Sequence, residues 1–286
     1  MVIFYPGWIA SGLQVALPGK SCKPYTLLDH VEKLILQTGA GNIDGTGNGL
    51  KNTLTGNEGV NVLEGGAGAD TLIGGLGNDT YRVNLKTVTG TTTTVALEDK
   101  VTETSTGGID TLVLLGGNED LSKASTLTLA TTLENIDASA TGTTKLNLNG
   151  NAAGNEVTGN DADNLLAGKA GNDTLTGGEG NDTFRFDTAL SATNVDVITD
   201  FATGDKIQLE NAIFTKLTVP GVPLSAANFF SSAGDFPEQG SDDYILFDNT
   251  TGALYYDADG SGTAAARVQF ATINYLDLAA SDFVVS

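Results

Sequence analysis

Residues 65–82 read GGAGADTLIGGLGNDTYR, two consecutive nine-residue units with glycine at positions 1, 2 and 4 and aspartate at position 6. Two weaker units precede them at 47–55 and 56–64, and four more run from 150 to 185. Position 8 is a large apolar or aromatic residue in all eight units, and position 6 is always Asn or Asp. A repeat of this kind determines the architecture before any local structure is assigned.

Each unit combines a turn with a short strand. Positions 1 to 6 are rich in Gly, Asn and Asp, which tolerate positive φ and form turns. Positions 7 to 9 favour a strand whose central side chain points inward. Because so short a strand is not stable alone, we expect parallel strands on alternate sides of a flattened right-handed coil, with one coil turn for every two units.

The composition favours a cation as partner. The 286-residue chain carries 14 Lys and Arg against 35 Asp and Glu, a formal net charge of -21, which makes nucleic acid an unfavourable partner. The single cysteine, Cys22, excludes an intrachain disulfide, and no apolar stretch is long enough for a transmembrane segment. Turn carbonyls and position 6 carboxylates are hard oxygen ligands, which suit Ca²⁺.

The units GGAGADTLI, GGLGNDTYR and GGEGNDTFR resemble the calcium-binding RTX (repeats-in-toxin) nonapeptide GGxGxDxUx, and GKAGNDTLT departs from it by one glycine. The resemblance implies an all-β fold of two parallel β-rolls, with bridging strands and an antiparallel β cap at the C-terminal end. It also implies Ca²⁺ ions held between turns two units apart. The implied partners are Asp70 with Asn52, Asp79 with Asn61, Asp173 with Asn155, and Asp182 with Asn164.

Backbone carbonyls of the repeat glycines complete the ligand set that the resemblance implies. These glycines are Gly65, Gly66, Gly68, Gly74, Gly75, Gly77, Gly168, Gly171, Gly177, Gly178 and Gly180. Because every implied pair joins one Asp to one Asn, we expect modest affinity, with Kd values of about 10⁻⁴ to 10⁻³ M as in other extracellular modules. Glu103 and Asp110 are candidate additional ligands, with solvated strand-edge carboxylates as the alternative.

The region after the second run also carries a resemblance. VITDF and GDKIQL, within 197–209, resemble the segment that closes RTX rolls in serralysin-type proteases and alginate epimerase repeat modules, which adds Asp200 and Asp205 as candidate calcium ligands. The ending LDLAASDFVVS, residues 276–286, resembles the C-terminal signal of type I secretion substrates. The resemblance therefore implies the type I secretion machinery as a partner and a secreted location.

The repeats and their flanks divide the chain into five segments. The strand-like segment between the two runs contains VTETSTGGIDTLVLLG, and YILFD, ALYYD and RVQFATI favour an antiparallel meander near the end. The predicted segments are an unassigned 1–27, a first roll at 28–82, a bridge at 83–149, a second roll at 150–187, and a closing region with the cap at 188–286.

The sequence gives no evidence of catalysis. His30 is the only histidine, so an HExxH metalloprotease site is excluded, and no GxSxG nucleophile motif occurs. We therefore predict a secreted calcium-binding protein, not an enzyme, whose rolls fold on extracellular Ca²⁺ and which serves a structural, adhesive or terminal-module role at or near a cell surface. The alternatives are a polysaccharide-binding accessory module and an enzyme with an unrecognised site.

Overall fold

The structure is a computed structural model that describes residues 24–104, 106–217, 220–234, 236, 240–260 and 266–286, with the backbone of 3–4 and 14–17. The chain divides into two compact units. Unit 1 comprises Met1–Ser125 and Ala130–Thr144, and unit 2 comprises Thr126–Leu129 and Lys145–Ser286. Most of the unassigned segment 1–27 lies outside the described residues.

The described residues form strands and three short 3-10 helices, with no α-helix among them. The first fourteen strands are β1 (Ile3–Phe4), β2 (Gln14–Leu17), β3 (Tyr25–Thr26), β4 (Lys33–Leu36), β5 (Gly45–Thr46), β6 (Thr53–Thr55), β7 (Val62–Glu64), β8 (Thr71–Ile73), β9 (Thr80–Val88), β10 (Thr94–Leu97), β11 (Lys100–Thr102), β12 (Thr111–Leu115), β13 (Ser125–Thr128) and β14 (Asn135–Asp137). The others are β15 (Leu146–Asn149), β16 (Glu156–Thr158), β17 (Leu165–Ala167), β18 (Thr174–Thr176), β19 (Thr183–Phe186), β20 (Asp196–Ile198), β21 (Lys206–Leu209), β22 (Phe229–Ser232), β23 (Ile245–Asp248), β24 (Ala253–Tyr256), β25 (Val268–Ile273) and β26 (Phe283–Val285). The 3-10 helices are η1 (Ser139–Thr141), η2 (Ala226–Asn228) and η3 (Ala280–Asp282), and in the described part of the chain no helix has the length and apolar character to span a bilayer.

Unit 1 is a parallel β-roll in which successive repeat strands join alternate sheets. In one sheet β6 pairs in parallel with β8, and in the other β7 pairs with β9. The full orders within the unit are β1-β2-β4-β6-β8-β11 and β3-β5-β7-β9-β12-β14, with β10 antiparallel to β9. In each sheet a repeat strand pairs with the strand two units further along the chain, as the repeat predicts. The bridging strands β11 and β12 therefore extend the first roll.

The position 8 side chains fill the interior of both rolls. All eight are fully buried: Leu54, Leu63, Leu72, Tyr81, Val157, Leu166, Leu175 and Phe184. Their flanking positions are mostly half-exposed, because neighbouring side chains on a strand point to opposite faces. This confirms the coil interior expected from the nine-residue period.

The glycines of the turns are needed for backbone conformation and for close approach. Gly75 has φ +114°, and a Cβ there would stand 2.5 Å from the carbonyl oxygen of Asn57 in the preceding turn on that edge. Lys169 stands at the same repeat position in GKAGNDTLT, and it keeps a φ of 82°. Its ammonium group lies 2.7 Å from the Asp187 carboxylate, a contact that offsets part of the cost of left-handed backbone.

Unit 2 contains the second roll and its C-terminal extension. Its sheets have the orders β13-β15-β17-β19-β21-β26 and β16-β18-β20-β25-β24-β23-β22. Strands β23, β24 and β25 form the expected antiparallel meander, while β25 pairs in parallel with β20 and β26 with β21. The C-terminal region thus continues both faces of the roll. Phe214 packs edge-on against Phe270 and Tyr256, with ring centroids 5.2 Å apart in both pairs.

The repeat predicts unequal costs for two leucines that lie only four residues apart. Leu72 at position 8 is fully buried, whereas Leu76 at position 3 is 52% exposed. Leu72→Ala should lower the free energy of unfolding by about 2 to 5 kcal/mol because it opens a cavity. Leu76→Ala should change it by no more than about 0.5 kcal/mol. Urea denaturation in excess calcium measures both, and equal effects would contradict the roll interior described here.

Candidate calcium sites

The position 6 side chains stack along the edges of both rolls. Each Asp accepts a hydrogen bond through Oδ1 from the backbone N–H of the Asn 18 residues earlier. The structure thus places each implied pair side by side. The distances are 2.6 Å from Asn52 to Asp70, 2.8 Å from Asn61 to Asp79, 2.7 Å from Asn155 to Asp173, and 2.8 Å from Asn164 to Asp182.

The stacks continue past the repeats with four more aspartates. Each accepts through Oδ1 from the backbone N–H of a repeat aspartate: Asp99 from Asp70 at 2.9 Å, Asp110 from Asp79 at 2.7 Å, Asp196 from Asp173 at 3.1 Å, and Asp205 from Asp182 at 2.8 Å. The view that every pair joins Asp to Asn is therefore incomplete, because a second layer joins Asp to Asp.

Sequence reasoning included Asp205 and considered Asp110, but it missed Asp99 and Asp196. Asp99, Asp110 and Asp205 directly precede a short strand and Asp196 is the first residue of one, and the second residue after each aspartate is apolar, as it is after position 6 in the repeats. The spacing hides them, because they lie 23 to 31 residues after their partners and not 18. A search for Asp-x-apolar at the start of a strand, without a fixed period, would have found them.

Five of these eight aspartates have a buried side-chain oxygen without a hydrogen-bond partner among the described residues. The buried Oδ2 atoms have no hydrogen-bond partner among the described residues in Asp70, Asp79, Asp99, Asp110 and Asp173. A buried polar atom without a partner is costly, and a carboxylate oxygen can be satisfied only by a donor or a cation. The stacks therefore fit a hard cation with oxygen ligands such as Ca²⁺.

The position 1 glycines leave room for these oxygens. A Cβ at Gly65 would collide with Oδ2 of Asp70, and one at Gly168 would collide with Oδ2 of Asp173. Gly74 and Gly177 are in the same situation. At this position glycine keeps the space beside the carboxylate open.

In the Asn turns, hydrogen bonds within the protein satisfy the polar atoms of the buried side chains. The side-chain Nδ2 of Asn52 donates to the carbonyl of Val31 at 3.0 Å, and that of Asn61 donates to the carbonyl of Ile43 at 2.8 Å. A carboxylate has no proton for such a bond. The side-chain oxygens accept from N–H groups of their own turns, Oδ1 of Asn52 from Asn48 at 2.7 Å and Oδ1 of Asn61 from Asn57 at 2.9 Å. These Asn side chains thus bond to their own turn through oxygen and to an earlier turn through N–H.

The two closing aspartates are both bonded to backbone amides. Asp200 accepts from the N–H groups of Gly177 and Gly178, at 2.9 and 2.8 Å. Asp205 continues the stack, and its second oxygen accepts from the N–H of Ala202 at 2.8 Å. The other repeat glycines named from the sequence lie in the turns, and their role as carbonyl ligands stays a prediction.

Burial disfavours the charged form of the stacked carboxylates. Burial first, and then the nearby Asp110 and Glu103 charges, raise the pKa of Asp79 to about 7 against the hydrogen bond from Asn61. Burial also raises the pKa of Asp182 to about 7 and of Asp70 to about 6. In the absence of a cation these carboxyl groups therefore stay protonated up to a pH well above the ordinary pKa of aspartate.

Comparisons with known proteins bear on the same turns. The family model described as "RTX calcium-binding nonapeptide repeat (4 copies)" matches residues 46–81 and 158–188. These segments are RTX repeats. RTX nonapeptide repeats bind calcium, and the matched segments contain three of the four Asp and Asn pairs of the stacks, together with Asp173 of the fourth.

Two further comparisons complete the picture of similar proteins. No curated protein matches the sequence. Among solved structures, an extracellular lipase, LipA from Serratia marcescens, aligns with 14% sequence identity and a TM-score of 0.20. The alignment covers 91% of this chain and 41% of the lipase, so this chain spans less than half the length of that protein.

The pKa shifts predict opposite pH dependence with and without calcium around the RTX repeats. Because folding raises these carboxyl pKa values, their stabilising effect in chelator is full below the unfolded value near 4 and is lost as pH rises to about 7. Each group can contribute up to about 1.4 kcal/mol per pH unit. In excess calcium the ionised form is the binding form, so stability should instead increase with pH.

Urea denaturation from pH 4 to 8, in chelator and in calcium, measures this difference, and the circular dichroism signal without urea gives the folded fraction where the rolls are only partly folded. Asp182→Asn should weaken the pH dependence in chelator, because it removes one raised carboxyl group. Asp161→Asn is the matched control, since it removes an exposed carboxylate from the same roll. A free energy of unfolding that rises with pH in chelator would show that the buried carboxylates do not titrate in this way.

Proposed function

We propose that this chain is a secreted calcium-binding protein whose RTX rolls complete their folding on extracellular Ca²⁺. The observation that carries the proposal is the set of five buried Oδ2 atoms without a hydrogen-bond partner among the described residues. They occur in both units, on stacks whose repeat aspartates lie within segments matched by the RTX family model. Without a cation these oxygens oppose the packing that the apolar interior favours.

The free energy of calcium binding is large enough to couple binding to folding. A site at about 100 times its Kd gains about 2.7 kcal/mol, so four sites would gain roughly 10 kcal/mol. That is comparable with the whole stability of a typical domain, about 5 to 15 kcal/mol. The net charge of -21 adds self-repulsion that bound cations reduce. Where calcium is far below Kd, the rolls are expected to be poorly folded.

Export as an unfolded chain through a type I system is part of the proposal. The stretch 276–286, which resembles a type I signal, includes η3 and β26. In the folded unit Phe283 and Val285 are buried, and β26 pairs with β21. A receptor that binds this stretch as an extended segment would have to do so before unit 2 folds. The low calcium concentration inside the cell would keep unit 2 unfolded for long enough.

The proposed role outside the cell is structural, as an adhesive or terminal module without catalysis. The sequence has no HExxH or GxSxG motif, and His30 is exposed on a turn outside the repeats. The position 6 carboxylates lie within the stacks, where Oδ1 of each repeat aspartate accepts a backbone N–H of a neighbouring turn. The chemistry on the edges of the rolls is therefore that of cation binding.

Calcium titration of the full chain tests the proposal. Far-ultraviolet circular dichroism should show a gain of β signal with calcium, and calorimetry should show several ions bound. Asp173→Asn should raise the calcium concentration at the folding midpoint by about tenfold, because affinity depends on the number of carboxylate ligands. Asp161→Asn should leave the midpoint nearly unchanged.

The same β signal in excess chelator and in millimolar calcium would reject calcium-coupled folding. A stoichiometry of zero by calorimetry would reject calcium binding itself. An equal midpoint shift for both variants would indicate a general charge effect in place of specific sites.

A further inference from the structure

A group of three carboxylates stands where the last repeat of the first run meets the segment after β11. Asp79, Glu103 and Asp110 each offer one carboxylate oxygen, and these three oxygens all lie within 4.8 Å of one another. Asp79 belongs to a repeat, whereas Glu103 and Asp110 belong to the bridging segment. We refer to these residues as the three-carboxylate cluster.

Two members of the cluster are buried with an oxygen left unsatisfied. Asp79 is 1% exposed and Asp110 is fully buried, and the Oδ2 atom of each has no hydrogen-bond partner among the described residues. None of the ion pairs in the described part of the chain includes a member of the cluster. Like charges at this distance repel strongly inside a protein, so a cation between them would remove a large cost.

Two glycines keep the space around the cluster open. A Cβ at Gly74 would collide with Oδ2 of Asp79 and stand 2.6 Å from the Glu103 carboxylate. A Cβ at Gly107 would stand 2.5 Å from Glu103 and 3.0 Å from Oδ2 of Asp110. The unpartnered oxygens therefore point into a gap lined by glycine.

Glu103 is held in place by other hydrogen bonds. The Tyr81 hydroxyl donates to its Oε2, and the N–H of Thr104 donates to its Oε1 at 2.6 Å. A donor behind a carboxylate ligand fixes its orientation toward a metal, as the outer shell of a metal site does. Tyr81 thereby joins the roll interior to the cluster.

The corresponding place in unit 2 is built differently. There the second oxygen of Asp205 accepts from the N–H of Ala202, and both oxygens of Asp200 accept from the amides of Gly177 and Gly178. Backbone donors thus satisfy carboxylates that in unit 1 face each other. In unit 1 no donor reaches Oδ2 of Asp79 or of Asp110 among the described residues, so these two oxygens still need a positively charged partner.

We propose that Asp79, Glu103 and Asp110 together bind one Ca²⁺, which anchors the bridging segment to the first roll. This site rests on the proposed calcium-binding function, but its ligands go beyond the nine-residue pattern. With three carboxylates it binds calcium more tightly than sites between Asp and Asn turns, since ligand charge increases affinity. Oxygen-only ligands in an irregular loop favour Ca²⁺ over zinc, whose sites usually include His nitrogen or Cys sulfur, and over Mg²⁺, which requires a stricter octahedron.

Calorimetric calcium titration and tyrosine-sensitised terbium emission of the full chain test this site. Tb³⁺ substitutes for Ca²⁺ at oxygen sites and emits when a nearby excited tyrosine transfers energy to it. Glu103→Gln should weaken the tightest calcium site by about tenfold or more, while Glu119→Gln, an exposed control in the same unit, should leave it unchanged. Tyr81→Phe should lose a component of the terbium emission while calcium is still bound.

Phenylalanine fits the interior position of Tyr81, because Phe184 occupies the corresponding position of the second roll. The terbium measurement therefore stays informative even if Glu103→Gln fails to fold. Terbium emission unaffected by Tyr81→Phe, or unchanged calcium affinity in folded Glu103→Gln, would overturn the site while leaving the proposed function standing. Absence of any calcium binding by the wild-type chain would overturn both.

Discussion

The stacking of buried position 6 carboxylates is the interaction on which both rolls depend. One oxygen of each accepts the N–H of the turn before it, which sets how closely the turns approach. In five of the eight stacked aspartates the second oxygen is buried without a partner in the described part of the chain. An unsatisfied buried charge costs more than an ordinary hydrogen bond returns, so the ionised stack is favourable only with positive charge between the turns, whereas protonation removes this cost at low pH. Folding and cation binding therefore use the same atoms.

The chain shows other ways of meeting the same electrostatic need. At the start of a stack, Asn replaces Asp and its amide N–H bonds the carbonyl of the turn before, as Asn61 does with Ile43. At the end of the second roll, backbone N–H groups approach the carboxylates, as Ala202 does with Asp205. The ends of a stack are where these substitutes are available, because only there does a turn lack a repeat neighbour on one side. Such donors are missing for Asp70 and Asp79 inside the stacks and for Asp99 and Asp110 at the ends of the unit 1 stacks, where Oδ2 has no partner among the described residues.

The repeat predicted the part of the structure that obeys the period. The coil of two units per turn and the buried position 8 residues follow from the nine-residue spacing, because each unit repeats the same backbone conformation, and the pairing of Asp70 with Asn52 was implied by the RTX resemblance. The partners Asp99 and Asp196 were missed because longer turns separate them from the repeats. The place of Glu103 could not be derived from spacing, since it depends on how an irregular segment folds back onto Gly74. Regular structure is legible in a sequence, and its junctions with irregular structure are much less so.

The length of the closing turn determines the chemistry at the end of each stack. In unit 1 Asp110 follows its partner Asp79 by 31 residues, and the added chain brings Glu103 close to both carboxylates. In unit 2 the interval is 23 residues, and the shorter turn supplies the Ala202 N–H instead. The repeats on both sides are nearly the same, so the difference in charge at the two ends comes from the insertions. Two rolls built from nearly the same repeats thus end in different sets of polar groups, because the turns that close them differ in length and in the residues they carry.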